Sequence, residues 1–133
     1  MARVNVFGTG LWGHLERVPE LEPQAANAIL SLFLERACVS SHIGNICIGR
    51  YGIAALPREW VLANIESLAE PLLEAGDEWE WRRLLEVYWF LDEGLMRKLS
   101  LRAIASEHGE VREAGQDFLG LKPILPLPPI SVE

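Results

Sequence analysis

The chain has 133 residues, 50% of them hydrophobic and 23% charged, with 11 glycines and 8 prolines that are scattered rather than periodic. That composition suits one helical domain over residues 1–121 followed by a proline-rich tail over 122–133, and it excludes collagen-like, low-complexity and disordered classes. The formal charge of −7 argues against nucleic acid as a partner, because phosphate binding needs a basic stripe and the bases here are dispersed.

In chain order, Met1-Ala2-Arg3-Val4-Asn5 has no basic stretch leading into an apolar run, so no secretory signal is expected and the cytoplasm is the expected compartment. Threonine occurs once, at Thr9, and the alternation that marks strands is confined to Val4–Phe7 and Asn45–Ile48, so the chain reads as all-α. Gly8, Gly10 and Gly13 match a dinucleotide-binding fingerprint in spacing. The context fails, because Pro19 stops the following helix within two turns and neither a second strand nor a ribose-binding acid follows. A turn feeding a short helix is the expectation.

Pro23 opens a helix running to about Cys38, with Ala25, Ile29, Leu32 and Phe33 on one face and Leu30 and Leu34 widening it. The next segment, Ser41–Leu56, contains Gly44, Gly49 and Gly52, each costing a helix about 1 kcal/mol against Ala. Helix is preferred to a short strand over Ile46–Ile48, because glycines there would let a second helix approach closely. The same glycines, with Asn45 and Arg50, interrupt the longest apolar stretch, so no membrane span is expected. Cys38 and Cys47 are expected as reduced, mostly buried small hydrophobes.

Pro57 begins a helix with Val61, Ile65, Leu68 and Leu72 inward and Glu59, Glu66, Glu70 and Glu74 outward. Pro71 should kink or restart it near Glu70, and Gly76 should end it. Asp77 then caps a new helix in a box-like arrangement with Glu80, and Trp81, Leu84, Leu85, Tyr88 and Leu91 form its core face. A turn at Asp92–Gly94 leads to a helix with Leu95, Met96, Leu99, Ala103 and Ile104 inward, and Glu107–Gly109 leads to a last helix carrying Val111, Ala114, Phe118 and Leu119. Lys122–Glu133 holds four prolines, which favours an extended tail packing back on the helices.

A weak repeat with an offset of 30 residues relates Glu80-Trp81-Arg82 to Glu110-Val111-Arg112. Within it, Ala103-Ile104-Ala105-Ser106-Glu107-His108-Gly109-Glu110-Val111-Arg112-Glu113-Ala114 resembles the inter-helix corner of HEAT-type repeats. That resemblance covers about a dozen residues closely and implies stacked antiparallel helices with one surface left for a partner; the N-terminal half departs from it. The chain also resembles small bacterial all-helical proteins, a likeness that carries no activity with it.

Motifs for chemistry are thin. Cys38, His42 and Cys47 fall within ten residues, but a structural zinc site needs four ligands and neither His14 nor His108 lies at suitable spacing, so no metal and no cofactor is expected. His42 and Cys47 on a helix would point apart, which disfavours a nucleophile–base pair. The strongest anomaly is the charge distribution: Glu59, Glu66, Glu70, Glu74, Asp77, Glu78 and Glu80 fill a 22-residue window that has no base, while the rest of the chain balances.

Together these features predict a compact antiparallel stack of five or six helices, HEAT-like or an irregular bundle. The expected function is non-catalytic binding, with Glu66, Glu70 and Glu74 and the corner Asp77, Glu78, Trp79 and Glu80 presented to a basic protein partner. Trp79 is the expected anchor, against the alternative that it folds over the preceding helix as a staple. Charge and size invite analogy with inhibitors of nucleic-acid-handling proteins, including immunity proteins of nuclease toxins. Two other readings stay open: a small enzyme using His42 and Cys47, and a homo-oligomer or homodimer in which tryptophans bury one another.

Overall fold

A computed structural model describes residues 11–39 and 41–121. The strand-like alternation at Val4–Phe7, the glycines Gly8 and Gly10, and the proline-rich tail lie outside them. Among the described residues every regular element is helical, as the all-α reading required. A 3-10 segment, Leu11–Glu20, precedes six α-helices: α1 (Pro23–Cys38), α2 (Ile43–Ala55), α3 (Arg58–Ala75), α4 (Glu78–Leu91), α5 (Glu93–Ile104) and α6 (Gly109–Leu119). None is long and apolar enough to cross a membrane. The chain forms two compact units, the first through Pro71 and the second from Leu72, so the boundary falls inside α3.

In the first unit, Pro23 opens α1, its fixed φ already suited to a helix start and its missing N–H lost where no partner exists anyway. α1 buries Ala26, Ile29, Leu30, Phe33, Leu34, Ala37 and Cys38, a wider arc than one stripe, as expected of a helix surrounded by other elements. Against it lies α2, which settles the ambiguity of the glycine-rich stretch in favour of helix. A Cβ placed on Gly49 would come within 2.5 Å of Phe33 O and meet the backbone of Ala37, and one on Gly52 would meet the Phe33 ring at 2.5 Å. Arg36 Nη1 donates to Asn45 Oδ1 at 3.1 Å. As α2 advances from Asn45 to Gly52 its contacts retreat along α1 from Arg36 to Phe33, so the pair is antiparallel. The 3-10 segment, non-helical at His14 (φ −133°, ψ 38°), carries buried Leu15 and Val18.

α3 departs from expectation in its inner face. Its fully buried positions are Val61, Ile65, Ala69 and Leu73, whereas Leu68 and Leu72 are only half-buried. Size misled here, since a small Ala occupies the inward position that a Leu was expected to fill. The helix does not restart at Glu70; it continues past Pro71 to Ala75, although Pro71 has no N–H to donate to Ser67.

In the second unit, Asp77 Oδ1 accepts from Trp79 N–H at 2.9 Å while Glu80 Oε1 accepts from Asp77 N–H at 2.8 Å, completing the expected capping box of α4. Asp92 serves two helices. Its N–H donates to Tyr88 O at 2.8 Å, closing α4, and its Oδ2 accepts from Leu95 N–H at 3.0 Å, opening α5. α5 and α6 approach closely because Gly115 offers no side chain: a Cβ there would stand 2.6 Å from Ser100 O and 2.9 Å from Ala103 Cβ. Arg82 Nη2 meets Asp117 Oδ2 at 3.0 Å and Trp89 packs edge-on against Phe118 with ring centroids 6.4 Å apart, joining α4 to α6. The buried apolar residues are Leu73, Leu84, Leu85, Val87, Tyr88, Leu91, Met96, Leu99, Ala103, Val111, Ala114 and Phe118. Ser100, buried among them, donates its hydroxyl to Met96 Sδ at 3.4 Å.

Candidate protein-interaction surface

The acid-only window does not form one described surface, because the boundary between the two units passes through it. Glu66 and Glu70 belong to the first unit, where Glu66 is exposed and Glu70 half-buried. Glu74 and the corner Asp77, Glu78, Trp79 and Glu80 belong to the second.

Within the second unit the corner is well built. Glu78 and Glu80 occupy the first turn of α4, where the helix dipole favours negative charge, and Asp77 stands at its N-cap. The hydrogen bond that Asp77 shares with the Glu80 carboxyl, together with the Trp79 N–H, holds the Asp77 carboxyl below its ordinary range. Glu80 goes the other way: partial burial raises it first, and the neighbouring Asp77 adds to the shift. At this corner, therefore, two of the seven acids are accounted for by helix capping and carry charge unequally as pH falls.

Trp79 is 57% exposed. Its partner is on its own helix: the Arg83 guanidinium lies 5.1 Å from the ring centroid, and Arg83 Nη1 in turn pairs with Glu86 at 3.6 Å. The base-free window therefore ends beside a base that the folded helix returns to it. The signal was present in the sequence as an i, i+4 spacing, which places the two side chains on one face.

Trp81 also differs from expectation. Trp81 is half-buried rather than a core residue, with the Arg102 guanidinium 5.5 Å from its ring centroid; Trp60 and Trp89 are half-buried too. Cys38 is buried as expected, but Cys47 is exposed because it lies on the side of α2 away from Gly49 and Gly52. His42 is the exposed N-cap residue of α2 and makes no side-chain cap there. Among the described residues no three His, Cys, Asp or Glu side chains gather as a metal site.

Residue patterning had also passed over two exposed apolar features, Ile43 at the start of α2 and Leu101 on α5. Known proteins supply no template for any of these sites. No family, curated protein or solved structure matches the chain.

Proposed function

We propose that this chain is a non-catalytic interaction module that binds a basic protein partner through acids of each unit, Glu66 and Glu70 in the first and, in the second, Glu74 and the corner Asp77, Glu78, Trp79 and Glu80. The reading is supported above all by Trp79, a large aromatic left 57% exposed at a corner whose backbone is pinned by a capping box. Exposed aromatics held rigidly lose little entropy on binding and are enriched among the residues that dominate interface energetics. Acids around it would steer a cationic partner and speed association. The expected compartment is the cytoplasm, and the helix pair α5–α6 would act as a HEAT-like scaffold for the corner. An inhibitor or immunity-type role fits the same chemistry.

Capture of partners from extract at low and high salt tests the reading, because the screening length shortens from about 10 Å at 0.1 M to about 3 Å at 1 M. A partner retained at low salt should be basic and should elute at high salt. Replacing Glu66, Glu70 and Glu74 together by Gln should slow its association and flatten the salt dependence, whereas Trp79→Ala should speed dissociation and cost roughly 2 kcal/mol or more. Unchanged rates and salt slope in both variants would refute the acidic interface.

A further inference from the structure

One side of α4 carries a ladder of three side chains. Trp79, Arg83 and Glu86 stand at i, i+4 and i+7, a spacing that puts all three on one face of a helix. The Arg83 guanidinium lies 5.1 Å from the centroid of the Trp79 ring, and its Nη1 stands 3.6 Å from Glu86 Oε1. The carboxylate and the π density of the indole thus hold the same cation from two sides. The Arg83 side chain is 23% exposed and that of Glu86 34%, so solvent screens this pair less than a fully exposed one, and Trp79 is the outward member of the three. A guanidinium keeps its proton at any pH at which a protein stays folded, so the ring has a permanent cation beside it.

We propose that Arg83 determines what the Trp79 anchor accepts: an apolar or aromatic side chain flanked by bases, and not a base itself. The inference rests on the reading of the Trp79 corner as a binding surface for a basic partner, and it names the group of that partner that seats on the ring. An indole attracts cations through the negative charge over its faces, and here that attraction is already engaged by Arg83. A second cation brought to the same ring is repelled by the first across a distance too short for salt to screen. An apolar or aromatic group meets no such repulsion and gains from covering exposed indole surface. The partner's bases are left for the carboxylates of Glu74, Asp77 and Glu78, where charge attracts them without a place on the ring. Arg83 thereby sets specificity through Trp79.

Two probes separate the possibilities: pentalysine, and its analogue with a central phenylalanine, which carries one charge fewer. Each is titrated into the full chain at low salt and followed by the NMR signal of the Trp79 indole N–H, assigned by its loss in Trp79→Phe. The phenylalanine peptide should bind the wild type about twofold to tenfold more tightly in spite of its lower charge, the size of one aromatic pair. Arg83→Gln removes the cation from the ring and should shift the ratio of the two affinities about twofold to fivefold towards pentalysine, the size of one exposed cation–π contact. The ratio is the readout because removing a base from the corner strengthens both peptides alike through distant charge. With Trp79→Ala, followed by the backbone signals of the corner, pentalysine should lead, and adding Arg83→Gln should leave the ratio unmoved; helical circular dichroism checks that each variant folds. The inference is overturned, and the proposed function left standing, if pentalysine moves the Trp79 signal of the wild type and binds as tightly as its analogue, or if Arg83→Gln leaves the ratio as it was. If neither peptide moves that signal, the corner takes no basic segment and both readings fall.

Discussion

The Asp77–Glu80 pair gives the clearest residue-scale expectations. Asp77 is held low by its bond with Glu80 and by the Trp79 N–H, so Glu80→Ala should move the Asp77 carboxyl up towards its ordinary value while the backbone bond keeps it from reaching it. A carbon-detected NMR titration of the two side chains would show it. The stability consequences have opposite signs. The depressed Asp77 contributes above its unfolded pKa of about 3.9, and that contribution is lost as pH falls through the lowered folded value. Glu80 is raised, so its contribution is complete below about 4.3 and is lost as pH rises through the folded value. Glu80→Gln keeps an oxygen to accept from Asp77 N–H but removes the unfavourable ionisation. Its stability relative to wild type should therefore be greatest near neutrality and should shrink below about pH 4, as measured by urea unfolding across that range. This cap is legible in the sequence because capping depends on residue type and a three-residue spacing; the Arg83 contact over Trp79 has its signal in an i, i+4 spacing.

At the scale of elements, the glycines of α2 test how packing overrides propensity. Ala for Gly in a helix ordinarily stabilises by about 1 kcal/mol, yet Gly49→Ala should destabilise by about 3 kcal/mol, because its methyl would strike the backbone of α1 rather than a movable side chain. Gly115→Ala should likewise destabilise, with Ser100 O and Ala103 Cβ in the way. Thermal or denaturant midpoints with circular dichroism detection decide the sign. The helix-breaking arithmetic alone could not identify this stretch as helix; the expectation depended on a second helix being near, which the antiparallel α1–α2 pair supplies. For α3 the same reasoning was less successful, since hydropathy gave inward status to Leu68 and Leu72 in place of Ala69 and Leu73. Burial follows the position of neighbours, and a sequence pattern sees only the residue's own affinity for them.

For the whole molecule, the concentrated charge sets a further expectation. Substituting Glu66, Glu70 and Glu74 by Gln should leave stability unchanged or slightly higher, because like charges at i, i+4 cost only a few tenths of a kcal/mol per pair. A marked loss of stability would show that these side chains hold the fold rather than face a partner. The chain should unfold with loss of a strongly helical spectrum, and neither reductant nor chelator should shift the transition, since its thiols form no disulfide.

The sequence by itself determined the all-α class, the positions of nearly every helix and the cap at Asp77, because helix starts, stops and caps depend on residues within about one turn of each other. Only the tertiary structure decided that the acid window straddles two compact units, that Trp79 stands outward under Arg83, and that Cys47 and Leu101 are exposed. The reason is that exposure belongs to the arrangement of elements: a helix pattern fixes which residues share a face, but not which face a neighbour will cover.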